Sequence, residues 1–370
     1  MRILIVPDKF KGSLGAREVG SAIAAGAQQV WPTAELEVCP LADGGEGTAE
    51  AICAARAGEW IPCASHDARG RPIEARFGWL PGPCCAVMEM SAAAGLARLA
   101  PDERDPVTAS TYGVGEMLVA AADRGASEII VGLGGSATND GGFGLACALG
   151  YRFLGGDKQE LSGPVSELAQ LIRIQPPNKL SLPRVCAACD VRNPLLGLEG
   201  ATRTFGAQKG ATPEQVEILE GALTRLAEVA AKSFGRDHRE VPGAGAAGGL
   251  GFGLLTFCNA TIRSGFDVVA EVIGLSEKIA GADLVITGEG KLDRQTLAGK
   301  APAGVARLAR GAGKRVIAVV GYAADDAEVR SLFDDVTAIN DTSPGYRETA
   351  RLLKEQTAAL LARWLRSGEK

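Results

Sequence analysis

The run DLVITGEGKLDRQTLAGKAP, residues 283–302, decides how the chain is read. Residues 284–287 form an apolar run that meets Gly288-Glu289-Gly290, passes Asp293 and reaches Gly299-Lys300, with Pro302 placed to open a helix. An apolar run without polar interruption marks a strand covered on both faces, as in a parallel sheet. A glycine-rich turn at the carboxyl end of such a strand is where open α/β sheets bind ligands. The same pattern recurs at 3–6, 36–40, 129–133, 185–188, 316–320 and 336–339.

Helix signals alternate with these strands. Thr212-Pro213-Glu214-Gln215 is a capping box with proline at the first helical position. It predicts a helix to about Phe234, with Val216, Leu219, Leu223, Leu226 and Ala230 on one face and Gly235 as its stop. Residues 16–30 predict another, ending before Trp31-Pro32. The fold class is therefore α/β. Two regions break the rhythm: 59–90, whose prolines and glycines suggest hairpins, and the irregular 150–185. The simplest topology pairs the N-terminal βαβ with the C-terminal βαβαβ in one parallel sheet. It makes 1–62 plus 281–370 a discontinuous parallel α/β domain and 63–280 an inserted α/β domain, with the site in the cleft between them.

Composition narrows the function. The 370 residues carry a net charge of −5 with both signs intermixed, and no basic stripe offers a nucleic-acid surface. Small molecules are the expected partners. Nine cysteines, an odd number scattered from Cys39 to Cys258, do not resemble a secreted disulfide framework. MRILIVPDKF reads as a first strand and not as a signal peptide, which fits a cytoplasmic chain. The uncharged stretch 241–262 contains Pro242 and six glycines, a composition for a buried loop entering a core helix and not for a membrane span. Only His66 and His238 are present, neither in a metal-like cluster nor beside a serine nucleophile. That argues against Ser-His and multi-histidine zinc chemistry.

What remains is carboxylates, cations and backbone amides, concentrated in four loops: ADGGEGT (42–48), GGSATNDGG (134–142), FGAQKGA (205–211) and TGEGKLD (287–293). Glycine lets successive N–H groups face one anion, while acids in the same loops would repel bare phosphate unless a divalent cation stood between them. Phosphoryl transfer is the chemistry this combination suggests. Candidates for nucleotide contact are Gly134, Gly135, Ser136, Thr138, Asn139 and Asp140 in one loop and Gly288, Glu289 and Gly290 in another. In PDKFKGS (7–13), Asp8, Lys9 and Lys11 make a cationic site for phosphate or carboxylate at a strand end. Asp43, followed by two glycines, and Asp190, between a buried strand and an Asn-Pro turn, suit a metal ligand or a general base. GLGGSA and GAGAAGG (243–249) also match the dinucleotide pattern G-x-G-x-x-[GA], which keeps open an NAD(P)-dependent oxidoreductase of a small hydroxy acid. The spacing of a Walker A loop is absent, as are the kinase HRD and DFG signatures.

The blocks DKFKGSL, PLADGGEGT, STYGVGE, GLGGSATNDGG, CDVRNPLLG, FGAQKGA, GAGAAGGLG and ITGEGKLDRQT, in this order from residue 8 to about 300, resemble the bacterial-type glycerate kinases (glycerate 2-kinase, type I family). The resemblance implies two α/β domains, one flavodoxin-like and one restriction-endonuclease-like. It also implies ATP-dependent phosphorylation of D-glycerate with 2-phosphoglycerate as the usual product. The residues themselves agree with that reaction type: Asp190 is the expected base, Asp293 or Asp43 the expected Mg²⁺ ligand, and Lys9 a further catalytic candidate. Asp8, Lys11 and Arg71, the last in a GRP turn, are the expected substrate contacts.

Overall fold

The computed structural model describes residues 1–10, 12–297, 300–339 and 346–366. In chain order the strands are β1 (Arg2–Pro7), β2 (Glu35–Val38), β3 (Glu59–His66), β4 (Pro72–Leu80), β5 (Cys85–Glu89) and β6 (Glu128–Gly132). The short β7 (Arg152–Leu154), β8 (Glu160–Leu161) and β9 (Arg173–Gln175) follow, then β10 (Arg184–Ala188) and β11 (Thr261–Arg263). The chain closes with β12 (Leu284–Gly288), β13 (Lys291–Leu292), β14 (Arg315–Val320), β15 (Tyr322–Ala323) and β16 (Asp335–Ala338). Each of the seven strands expected from apolar runs forms, with ends within two residues of the expected ones. The chain divides into two compact units, residues 1–43 with 266–370 and residues 44–265.

The first unit is a parallel sheet in the order β16-β14-β12-β1-β2. Numbered along the chain within the unit, that order is 2-1-3-4-5, a doubly wound sheet whose direction of winding switches between β1 and β12. Both faces are covered, as uninterrupted apolar strands require. Ile3, Ile5, Leu284, Ile286, Ile317 and Val319 point to one face, where they pack with Val19, Ile23, Leu353 and Leu360 of the helices Ala16–Val30 and Tyr346–Arg366. The alternate residues Leu4, Val285, Val316 and Ala318 are also buried, and the helix Ala301–Gly311 packs against β12 and β14.

The second unit is built on a six-stranded mixed sheet, β11-β10-β6-β5-β4-β3. β5, β6, β10 and β11 run parallel, and β3-β4-β5 is an antiparallel meander, which accounts for the hairpin signals in 59–90. The irregular stretch 150–185 supplies a separate antiparallel sheet, β8-β7-β9. The helix Pro213–Phe234 forms as its capping box predicts: Thr212 N–H donates to Gln215 Oε1 at 2.9 Å and Gln215 N–H returns to Thr212 Oγ1 at 3.2 Å. Gly235, in the left-handed region, ends it. The uncharged stretch enters the core helix Ala246–Phe257 through left-handed residues at Ala247, Gly248 and Gly249. Among the described residues no helix is long and apolar enough to cross a membrane. No disulfide joins any of the nine cysteines.

The unit boundaries fall at 43/44 and 265/266, where the sequence suggests 62/63 and 280/281. The helix Thr48–Arg56 lies on β4 and β5, so its apolar face belongs to the second unit. Phe266 packs against Gly304 of the helix Ala301–Gly311, which draws its segment into the first.

Two helix glycines separate propensity from packing. A Cβ on Gly26 would fall 2.4 Å from the Lys354 carbonyl oxygen of the facing helix, whereas Gly221 is exposed with nothing within 4 Å. Alanine favours a helix interior over glycine by ~1 kcal/mol, while forced overlap in a packed contact costs ~1–3 kcal/mol. Gly221→Ala is therefore expected to raise stability by about 0.5–1 kcal/mol and Gly26→Ala to lower it by about 1–2 kcal/mol. Urea midpoints of the two variants decide it: a rise in both would mean that the two helices are not in close contact at Gly26.

Candidate functional site

Each unit gathers chemistry at the carboxyl ends of its parallel strands. In the first unit this happens at the switch between β1 and β12. Asp8 N–H donates to Gly288 O at 2.8 Å, so PDKFKGS and TGEGKLD leave the sheet side by side. Gly288 and Gly290 lie close to neighbouring backbone: a Cβ on Gly288 would stand 2.4 Å from Val319 O, and the Gly290 carbonyl accepts from Tyr322 N–H at 3.0 Å.

Glu289, 5% exposed, accepts from Thr296 Oγ1 at 2.7 Å, and Lys300 Nζ stands 3.9 Å from its other oxygen. Burial pushes its carboxyl up to about 7; Asp8 and Asp293 add like charge, and the Thr296 bond and Lys300 oppose the shift. Asp8 is buried and accepts from Lys9 N–H at 2.7 Å. Asp293 pairs with Lys291 at 3.2 Å. Asp8, Lys9, Glu289 and Asp293 are thus one neighbourhood, drawn from segments 280 residues apart in sequence. Asp43 is half-buried at the end of the unit's first segment. Lys11 lies outside the described residues.

In the second unit the loop 44–47 lies across the carboxyl ends of β10, β6 and β5. A Cβ on Gly44 would stand 2.7 Å from Ala188 O, one on Gly132 2.7 Å from Gly44 O, and one on Gly134 2.4 Å from Gly45 Cα. These glycines are there because backbone meets backbone with no room for a side chain. Glu89, at the end of β5, accepts from the N–H groups of Gly47 and Ala49, each at 3.0 Å, and so occupies the N-terminus of the helix Thr48–Arg56. Asp190, just past β10, accepts from Gly265 N–H at 2.7 Å and from Ser264 Oγ at 3.1 Å.

The GGSATNDGG loop divides into two halves. Gly135 is exposed, Gly134 half-buried and Ser136 8% exposed. Thr138, Asn139 and Asp140, expected beside a nucleotide, are buried. Asp140 accepts from Thr111 N–H (2.8 Å), Thr111 Oγ1 (2.7 Å), Gly142 N–H (3.1 Å) and Gly144 N–H (3.1 Å). Burial raises its pKa and these four donors oppose the rise. Asn139 Nδ2 donates to Thr202 Oγ1 at 2.9 Å.

The oxidoreductase alternative fails on this geometry. A dinucleotide fold puts pyrophosphate on the helix N-terminus after the glycine turn. Here Asp140 already occupies the start of the helix Phe143–Ala148. The second match, GAGAAGG, is packed on the first: Gly141 N–H donates to Gly248 O at 3.0 Å, and a Cβ on Gly248 would stand 1.9 Å from Thr138 O.

Arg71, an expected substrate contact, is already paired. Its guanidinium is engaged by Asp67 at 2.5 Å and Glu103 at 2.6 Å, anchoring the β3–β4 turn. Three further cations, not individually named from the sequence, lie near these loops. Arg76 and Arg98 line a cleft of about 340 Å³ with Glu46, Trp60, Glu89 and Ser91, and Arg76 stacks over Trp60 at 4.3 Å. Lys209, from FGAQKGA, is 2% exposed and donates to Ser136 Oγ and Thr138 O, each at 2.7 Å. Its place behind the glycine loop depends on a contact between positions 73 residues apart.

Comparison with known proteins agrees along the whole chain. The family model described as the glycerate kinase family matches residues 3–366. A glycerate kinase of Bacillus subtilis (strain 168) is 42% identical over 330 residues, 88% of this chain and 86% of that protein. The glycerate 2-kinase of Escherichia coli (strain K12) is 39% identical over 94% of this chain and 93% of its own length. A crystal structure assigned to glycerate kinase 2 of Salmonella typhimurium LT2 is similar at a TM-score of 0.87 and 39% identity, covering 100% of this chain and 99% of that one.

Glu289 makes stability depend on pH in a direction that can be worked out. Its folded pKa of about 7 exceeds the ordinary 4.5, so between those values the folded chain keeps a proton that the unfolded chain releases. Rising pH through that window erodes stability. In EDTA, the advantage of Glu289→Gln over the wild type is expected to be small near pH 4 and to grow to on the order of 3 kcal/mol by pH 8. A difference that does not vary with pH, measured by urea unfolding, would mean that the carboxyl titrates normally.

Proposed function

This chain belongs to the glycerate kinase family, and from that membership we propose that it transfers the γ-phosphoryl group of ATP to D-glycerate and releases 2-phosphoglycerate. It is an enzyme, a phosphotransferase that phosphorylates glycerate. The observation that carries the assignment is the family match over residues 3–366, which includes every loop described above.

Asp190 is the proposed base. Its carboxylate is held at a strand end by Ser264 and Gly265, which fixes where it is aimed. Gly135 is the exposed residue of its loop and Gly134 is half-buried, and these two with the neighbouring Ser136 are assigned to the nucleotide phosphates. Lys9 and Lys11 are assigned to anionic groups of the substrates; Arg71 would first have to leave Asp67 and Glu103.

Asp43 and Asp293 are assigned to Mg²⁺, which when bound would neutralise charge building on the transferred phosphoryl group. Magnesium takes one or two carboxylates together with phosphate oxygens and water, and so needs no cage of protein ligands. Asp293 fits that demand: it acts on the same buried carboxyl, Glu289, as Asp8 does, and the like charge of these acids is one that a cation would relieve. With phosphate geometry and charge supplied in this way, the chain's own task is to position the hydroxyl and accept its proton.

Two outcomes test the assignment. Turnover of D-glycerate and ATP is expected to stop in excess EDTA and return with Mg²⁺ or Mn²⁺, and phosphorus NMR is expected to place the product phosphate on C2. Undiminished turnover in EDTA removes the metal, and a C3 phosphate removes the product assignment. Asp190→Asn keeps size and hydrogen bonding while removing the base. Binding of both substrates should persist while kcat falls ~10²–10⁴-fold, and near-normal turnover would make Asp190 a structural residue.

A further inference from the structure

Two helix N-termini at the strand ends of the second unit are filled by the chain's own carboxylates, Glu89 on Thr48–Arg56 and Asp140 on Phe143–Ala148. An incoming phosphate therefore cannot use either of these helix ends. A cation, Lys209, lies behind the glycine loop, its Nζ 2.7 Å from Ser136 Oγ.

We propose that Lys209 is a positioning residue for the nucleotide phosphates: it holds Ser136 with the hydroxyl proton turned outward, so that Ser136 Oγ and the amides of Gly134 and Gly135 form a donor set backed by a buried positive charge. This rests on the reading that the 134–136 loop meets the nucleotide.

The argument is one of donors and acceptors. An ammonium group has three protons and no lone pair. Lys209 Nζ stands 2.7 Å from both Ser136 Oγ and Thr138 O, so in its charged form both oxygens must accept. Ser136 Oγ has no other hydrogen-bond partner among the described residues, and its proton is left to point toward the exposed side. The Thr138 carbonyl fixes the second corner, which keeps the ammonium from swinging away. Asp140 is the charged group that acts on Lys209, and its oxygens are bonded to Thr111, Gly142 and Gly144 and not to the lysine.

A buried cation without a directly bonded anion is costly, and an anion arriving outside Ser136 would offset part of that cost. Burial alone brings Lys209 down to about 7 despite Asp140. If the proton is lost, the amine gains a lone pair, the Ser136 proton can turn inward, and the outward donor disappears. Phosphate binding and protonation of Lys209 are thus linked, and each should favour the other.

Calorimetric titration with a non-hydrolysable ATP analogue and Mg²⁺ tests this on the intact enzyme. Ser136→Ala and Lys209→Met are each expected to weaken binding about tenfold, leaving KM for glycerate within about twofold. The double variant should be little worse than the weaker single, because the lysine acts through the serine. At pH 8, titrations in buffers of differing ionisation enthalpy should show proton uptake on binding that is larger for the wild type than for Lys209→Met. Wild-type affinity in Ser136→Ala overturns the proposal even if Lys209→Met fails to fold; additive losses, or equal proton uptake, also overturn it. Gly135→Val, which forces a side chain onto a φ of +73°, separates the two levels. If it leaves nucleotide affinity unchanged, the loop is not the nucleotide site and the underlying reading fails. If it weakens binding while Ser136→Ala does not, only the role of Lys209 and Ser136 fails.

Discussion

The carboxylate of Asp140 is the interaction on which the second unit's loops depend. It is 1% exposed and gathers four donors from three positions, bringing the starts of the helices Tyr112–Asp123 and Phe143–Ala148 to one point. A buried charge is tolerable only when its lone pairs are used, and removing one partner of such a network costs several kcal/mol because the rest are left unmatched. Thr111 is fixed twice over, by its N–H and its hydroxyl, and its Oγ1 also accepts from Leu145 N–H at 2.9 Å. The loop from Gly134 to Gly142 is therefore anchored at its far end, and Gly134 and Gly135 are its residues that are not buried.

The same economy governs the glycines. Where loops from different strands cross, the distances from a notional Cβ to neighbouring backbone fall between 1.9 and 2.8 Å at Gly248, Gly134, Gly44 and Gly132. Side chains essentially never approach backbone that closely, so these positions exclude every other residue. Much of the glycine richness that suggests phosphate binding is in this way spent on packing loops against one another. The residue types alone do not separate the two uses, since both need a backbone without Cβ.

Charge is distributed differently in the two units. In the first, burial raises the Glu289 carboxyl, Asp8 and Asp293 add like charge, and Lys300 gives partial relief. In the second, the acids are consumed by backbone N–H groups and the buried cation is Lys209. An acid-rich neighbourhood suits a divalent cation, and an amide-rich loop over a buried ammonium suits phosphate oxygens.

The α/β class, the strands and the long capped helix were legible in the sequence, because burial on both faces writes an uninterrupted apolar run and a capping box is local chemistry. The conjunction of PDKFKGS with TGEGKLD also follows once β1 and β12 are adjacent at a winding switch. The eight ordered blocks carried the family. Tertiary structure alone decided which polar residues face outward. Thr138, Asn139 and Asp140 look like ligand contacts in a string of letters and lie inside the protein. Arg71 looks available and is held by Asp67 and Glu103. Lys209 lies in a glycine loop visible in the sequence, but its place behind the 134–136 loop is not. Exposure and partnership are set by residues tens or hundreds of positions away, so no spacing within a motif can encode them; the fold, by choosing which groups meet, assigns each charge its partner and leaves the remainder for chemistry.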